Sequence, residues 1–163
     1  MIYKLDKGGL FPLLFIICMM LLPSCMPQGV RYHSYVPVPY QWKATDTVCI
    51  VLPDSMAADR YHMTVEVRNT AIYDYSDLWL AMQKRCVADG IERTICDTLH
   101  LKLIDDRGRW YNESSVGVHY QSSHPMGDML IKEAEYSYEF RFWHLMSDST
   151  LLGISDIGIR LEK

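Results

Sequence analysis

Polar and apolar residues alternate along most of this chain with a period of two. From His62 to Val67, Met63, Val65 and Val67 fall on one side and His62, Thr64 and Glu66 on the other, the spacing of a strand with one buried face. Thr47 to Leu52 is an apolar run bounded by Asp46 and by Pro53-Asp54, and reads as a second strand. Leu78, Leu80 and Met82 open an alternating segment that runs to about Val87. It turns at Asp89-Gly90 and returns through Ile95, Leu99, Leu101 and Leu103, which predicts a hairpin. Tyr136, Tyr138, Phe140 and Phe142 share a face opposite Ser137, Glu139 and Arg141. Ile157, Ile159 and Leu161 then face inward from a terminal strand whose other face carries Gly158, Arg160 and Glu162.

No segment carries a convincing helical period. About seven or eight strands without helices predict an all-β fold, an antiparallel β-sandwich of two sheets packed face to face. Its expected core is Met63, Val65, Val67, Leu78, Leu80, Leu99, Leu101, Tyr138, Phe140, Phe142, Ile157 and Ile159. Arg68-Asn69-Thr70 ends a strand, and Asp105-Asp106-Arg107-Gly108 reads as a tight turn. Residues 112–128 are polar and contain glycine, and read as a long loop with at most a short strand. Gly158 within a strand indicates a bulge or a close backbone approach. From Met26 to Ala44, Pro27, Gly29, Pro37 and Pro39 among scattered aromatics suit an extended tether.

The N-terminus has the order of an export signal. Lys4 and Lys7 give positive charge, Leu10 to Leu22 is an apolar run of 13 residues, and Pro23-Ser24 precede Cys25. That run is shorter than the roughly 20 residues a membrane span needs. Leu22-Pro23-Ser24-Cys25 resembles the lipobox of bacterial lipoproteins, with an aliphatic residue, a small residue and then cysteine. The thiolate is the nucleophile that accepts a diacylglyceryl group as a thioether, and N-acylation follows on the new N-terminus. The expected organisation is a cleaved signal peptide over residues 1–24, a lipidated tether over residues 25–44 and a sandwich domain over residues 45–163. Cys25 is the one site residue assigned, as the lipid attachment point.

With 163 residues the chain builds one domain, and 49 % hydrophobic content excludes general disorder. The formal charge of -4 becomes -5 once Lys4, Lys7 and Asp6 leave with the signal, so a basic nucleic-acid footprint is not indicated. After processing, Cys49, Cys86 and Cys96 remain. A two-residue turn at Asp89-Gly90 sets Cys86 across from Arg93, on the other face from Cys96, so three buried or half-buried free thiols are expected in preference to a bridge.

No metal, cofactor or catalytic residue is assigned. His119 and His124 are five apart with no partner at ligand spacing. His62, His100 and His144 are expected at the surface or rim. Asp105 and Asp106 belong to turn hydrogen bonding, and Ser114-Ser115 lacks a nucleophile-elbow context. An enzyme is therefore not expected. The tryptophans offer one alternative, a lipid-tethered glycan-binding module, which would need Trp79, Trp110 and Trp143 exposed together on one face.

Three segments resemble the gliding motility lipoprotein GldH family. They are Val67-Arg68-Asn69-Thr70 followed by Tyr73-Asp74-Tyr75-Ser76-Asp77-Leu78-Trp79-Leu80; Asp97-Thr98-Leu99 leading to Asp105-Asp106-Arg107-Gly108-Arg109-Trp110; and Gly153 to the terminal Lys163. Between Asn112 and Met126 the chain departs from the glycine-rich stretch associated with the family. The resemblance implies a non-catalytic envelope lipoprotein of gliding motility and its associated protein secretion machinery. Such a protein acts through contacts with other envelope proteins and is held to the membrane by its lipid, without a small-molecule substrate. Lipoproteins of such bacteria are commonly sent to the cell surface by acidic residues soon after the cysteine. Met26 to Arg31 has none, which favours the periplasmic face of the outer membrane.

Overall fold

Alternation of buried and exposed side chains builds every long strand of the computed structural model, which describes residues 29–88, 90–111, 119–132 and 137–163. The strands are β1 (Val30–Pro37), β2 (Trp42–Lys43), β3 (Val48–Val51), β4 (Asp59–Thr70) and β5 (Asp77–Ala88), then β6 (Ile91–Lys102), β7 (His119–Ile131), β8 (Ser137–His144), β9 (Thr150–Leu151) and β10 (Ile154–Glu162). There is no helix among the described residues, and so none long and apolar enough to cross a membrane. One four-stranded sheet has the order β1-β10-β4-β7 and the other β3-β8-β5-β6, with β2 and β9 as a small separate pair. All pairings are antiparallel. This is the all-β sandwich that the period-two pattern predicts.

The inward residues of both sheets form one apolar cluster, and all twelve expected core residues belong to it. Val65, Ile157 and Ile159 of the first sheet and Leu80, Phe140 and Phe142 of the second are wholly buried. Burying side chains of this size stabilises by roughly 1.5 to 3 kcal/mol each. The hairpin also has the register read from its turn: Ala88 pairs with Ile91 and Cys86 with Arg93.

The expected tether over residues 25–44 is corrected from Val30 onward. β1 pairs along β10 from Val30 to Pro37, and Val38 and Trp42 are buried in the core. The prolines misled because Pro37 is the last residue of an edge strand, where a missing N–H costs no ladder bond. Residues 112–118 lie outside the described residues, as do residues 1–28 with Cys25, Asp89 of the expected hairpin turn, and residues 133–136 with Tyr136. The rest of the expected loop is β7, 13 residues long and paired along the whole of β4. Its strand character was hidden because its apolar burial is confined to Met129 and Ile131 at one end. Its outward Gln121 and Ser123 and inward Ser122 and His124 are all polar.

Two smaller expectations also change. His144 is 1 % exposed, because it continues the inward parity of Phe140 and Phe142; its Nε2 lies 3.1 Å from the Trp42 carbonyl and its ring meets the Trp42 indole edge-on. All three thiols are free as expected, but only Cys86 is half-buried, whereas Cys49 and Cys96 are exposed on the outer face of their sheet.

Candidate functional site

Period two in β4 aims His62, Thr64, Glu66 and Arg68 away from the core, yet Glu66 is only 2 % exposed. Neighbouring strands close over it. β1 sets His33 opposite Arg160, and β10 sets Arg160 opposite Thr64 and Gly158 opposite both Tyr35 and Glu66. His33 Nε2 sits 2.7 Å from Glu66 Oε2, and the Tyr35 hydroxyl donates a short hydrogen bond to the same oxygen. Ser123 Oγ of β7 donates to Oε1 at 3.3 Å, and Arg160 Nε forms an ion pair with Oε1 at 3.0 Å. The Arg68 guanidinium lies 3.6 Å above the Tyr35 ring and donates to Gln121.

Gly158 makes this possible, since a side chain there would occupy the place of the Tyr35 ring. Burial by itself raises the Glu66 carboxyl, but hydrogen bonds from Tyr35 and His33 and the charges of His33 and Arg160 outweigh it, and the group is held below the ordinary carboxylate range. Burial, reinforced by the Glu66 carboxylate, pushes the Tyr35 phenol far above its usual value. A carboxylate offers about four acceptor positions. Here three side chains hydrogen-bond to it and the Arg160 guanidinium adds its charge, so the cluster is built as a clamp between the N-terminal strand and the rest of its sheet.

The outer face of the second sheet is an exposed polar ladder. Glu139 of β8 accepts from Arg141, Cys49 and Arg85, and these, Arg141 first, bring its carboxyl down to about 2. Arg85 also forks onto Glu92 across the hairpin. Further along the face Trp79 stacks on His100 at 4.1 Å, and His100 Nε2 lies 2.5 Å from Asp77 Oδ2.

Of the three tryptophans of the glycan-platform alternative, Trp79 and Trp143 share the outer face of the second sheet on the adjacent strands β5 and β8, and Trp110 does not join them. Trp79 is 40 % exposed but has one ring face against His100, and Trp143 is half-buried. Trp110 packs against the core and stacks on Tyr120 at 5.2 Å, beside Tyr73. The histidine pair is also divided: His119, opposite Thr70, lies near Ser155, whereas His124, opposite Val65, faces inward beside Ser122. His124 lines a cleft of about 270 Å³ with Lys102, Tyr111, Ser122 and Ser123. Asp105 caps its own turn, accepting from the backbone N–H groups of Arg107 and Arg109, both at 2.9 Å. Among the described residues no group of three or more His, Cys, Asp or Glu side chains is placed to hold a metal. The Glu66 cluster was missed in the sequence because its members come from four strands; the one signal was Gly158 beside Arg160.

No curated protein matches the chain. Among solved structures, dimeric latent PorU from Porphyromonas gingivalis is similar over 83 % of this chain and 13 % of that one, at 10 % identity and a TM-score of 0.31. So slight a likeness carries no argument. The GldH lipoprotein family matches residues 30–161, from the first residue of β1 almost to the end of β10. The chain belongs to the GldH lipoprotein family, the gliding-motility-associated lipoproteins that its three sequence segments resemble.

Proposed function

We propose that this protein is a non-catalytic envelope component of a gliding motility and protein secretion assembly, acting through contacts with other envelope proteins. In this reading the chain is exported, Cys25 is lipidated, and the domain stands on the periplasmic face of the outer membrane. The observation that carries the reading is the family match across nearly all of the sandwich. A second feature supports it. Val30, where β1 begins, is five residues beyond Cys25, and at about 3.3 to 3.6 Å per extended residue the domain would stand within about 18 Å of its lipid. The Glu66 clamp fastens that same strand to its sheet, so the orientation of the sandwich at the membrane would be set by β1.

Affinity capture of the lipidated protein from native membranes tests the role. Co-purification of envelope proteins of the motility or secretion machinery is expected, and recovery of none would sink it. Detergent partition tests the anchor. Cys25→Ser should leave the membrane fraction, and a variant that remained membrane-bound would show that the lipid is not the attachment. Protease shaving of intact cells reads the leaflet: a protected domain is expected, and a digested one overturns the periplasmic orientation.

A further inference from the structure

β6 ends its sheet, with β5 on one side and, among the described residues, no strand on the other. Every residue from Ile91 to Thr98 is exposed, on both faces, whereas Leu99 and Leu101 are buried. This half of the hairpin therefore extends beyond the cover of the opposite sheet. The burial of Leu99 and Leu101 assigns odd-numbered positions to the inner face. Ile91, 62 % exposed, and Ile95, 52 % exposed, thus stand on an inner face with nothing described over them. In an antiparallel pair alternate residues aim both backbone groups at one neighbour, so every second residue of β6 directs its N–H and C=O at the open side. An edge of 12 residues with two exposed isoleucines is a template for an added strand.

Charge and shape indicate which strand fits. When two copies of an edge join about a two-fold axis perpendicular to the sheet, opposed residues have the same parity. With the axis at Ile95, the inner face sets Ile95 against Ile95, Arg93 against Asp97 on both sides of it, and Ile91 against Leu99. The outer face sets Thr94 against Cys96 and Glu92 against Thr98. Moving the axis to Asp97 opposes two aspartates. Placing it at Cys96 sets Asp97 against Ile95 and Arg93 against Leu99, and placing it at Thr94 sets Arg93 against Ile95 and Asp97 against Ile91. The Ile95 register alone among these satisfies both charge pairs and joins the exposed isoleucines across the seam.

We propose that β6 is a dimerisation edge, at which two copies of this chain join antiparallel about Ile95 into one continuous sheet. The proposal stands on the edge itself and does not depend on the gliding role.

Cysteine cross-linking of the full chain in membranes tests it. Cys49, Cys86 and Cys96 are first changed to Ser, and Ile95→Cys is added; directly opposed positions bring Cβ atoms to about 4.5 to 5.5 Å, near disulfide reach. Oxidation with copper phenanthroline should give a dimer on non-reducing electrophoresis, while Thr98→Cys, opposite Glu92, should give none. In the Ile95→Cys background, Arg93→Asp should lower dimer yield about three- to tenfold, and adding Asp97→Arg should restore it. All the positions changed along β6 are exposed, and unchanged circular dichroism verifies that each variant folds. Absence of an Ile95→Cys dimer, equal cross-linking from Thr98→Cys, or failure of the charge swap to restore it would overturn the proposal. A wild-type protein that sediments as a monomer at every concentration in detergent would do the same.

Discussion

The ring of Tyr35 lies where a side chain on Gly158 would have to be: a Cβ at Gly158 would fall 2.6 Å from Tyr35 Cδ1 and 2.7 Å from Cε1. Gly158→Ala should therefore unseat Tyr35 and break its bond to Glu66, at a cost of about 1 to 3 kcal/mol in urea unfolding. The cost should shrink in a Tyr35→Ala background, since the two positions act through one contact. Equal costs in both backgrounds would mean that the ring is not what the glycine accommodates.

Glu66 should govern part of the acid stability. Its partners hold its carboxyl below the ordinary 4.5 despite the opposing effect of burial. The unfolded chain therefore takes up this proton first as pH falls. The stabilisation is complete above about pH 4.5 and is lost as pH drops through the lower folded value. Glu66→Gln should be less stable at pH 7 by about 2 to 3 kcal/mol, the cost of leaving Arg160 without its buried partner. It should also lose less stability than wild type between pH 5 and 3. Parallel melting curves across that range would contradict the clamp.

A second window should appear nearer neutrality. Burial lowers the His144 imidazole below its usual 6.5, against the opposing pull of the Trp42 carbonyl, and burial lowers His124 as well. Both favour the neutral form in the fold, so stability is full above about pH 6.5 and falls as the unfolded state is protonated below it. His144→Leu should reduce that decline between pH 7 and 5.5, with His124 carrying the remainder. It should also cost about 1 to 3 kcal/mol, because the Trp42 carbonyl loses its donor. An unchanged slope would place the titration elsewhere.

The exposed thiols should differ in reactivity. Burial raises the Cys49 thiol, and the hydrogen bond to Glu139 raises it further. Since the thiolate is the reactive form, maleimide labelling of Cys49 should be slow for so exposed a group, and Glu139→Gln should accelerate it. Peptide mapping of labelled native protein should find Cys49 and Cys96 modified ahead of half-buried Cys86. Preferential labelling of Cys86 would contradict the register of the hairpin.

Sequence by itself determined the fold class and the inward residues of the strands with a clear alternation. Alternation in β4, β5, β8 and β10 named the buried face of each strand, because a period of two permits one inward set and a one-residue slip would expose all of it. The Asp89-Gly90 pair in the sequence predicted the hairpin register that Ala88 and Ile91 show, and the three family segments lay in sequence order with no tertiary information needed. Tertiary structure alone decided what the polar residues do. Glu66 is an ordinary outward position in its own strand; it becomes buried because Tyr35, 31 residues earlier, and Arg160, on the last strand, close over it. β7 likewise has too few apolar positions to announce itself, and becomes a strand by pairing with β4. Local periodicity reports which face of a strand meets the core, but contacts between outward faces depend on strand order, which a period of two does not encode.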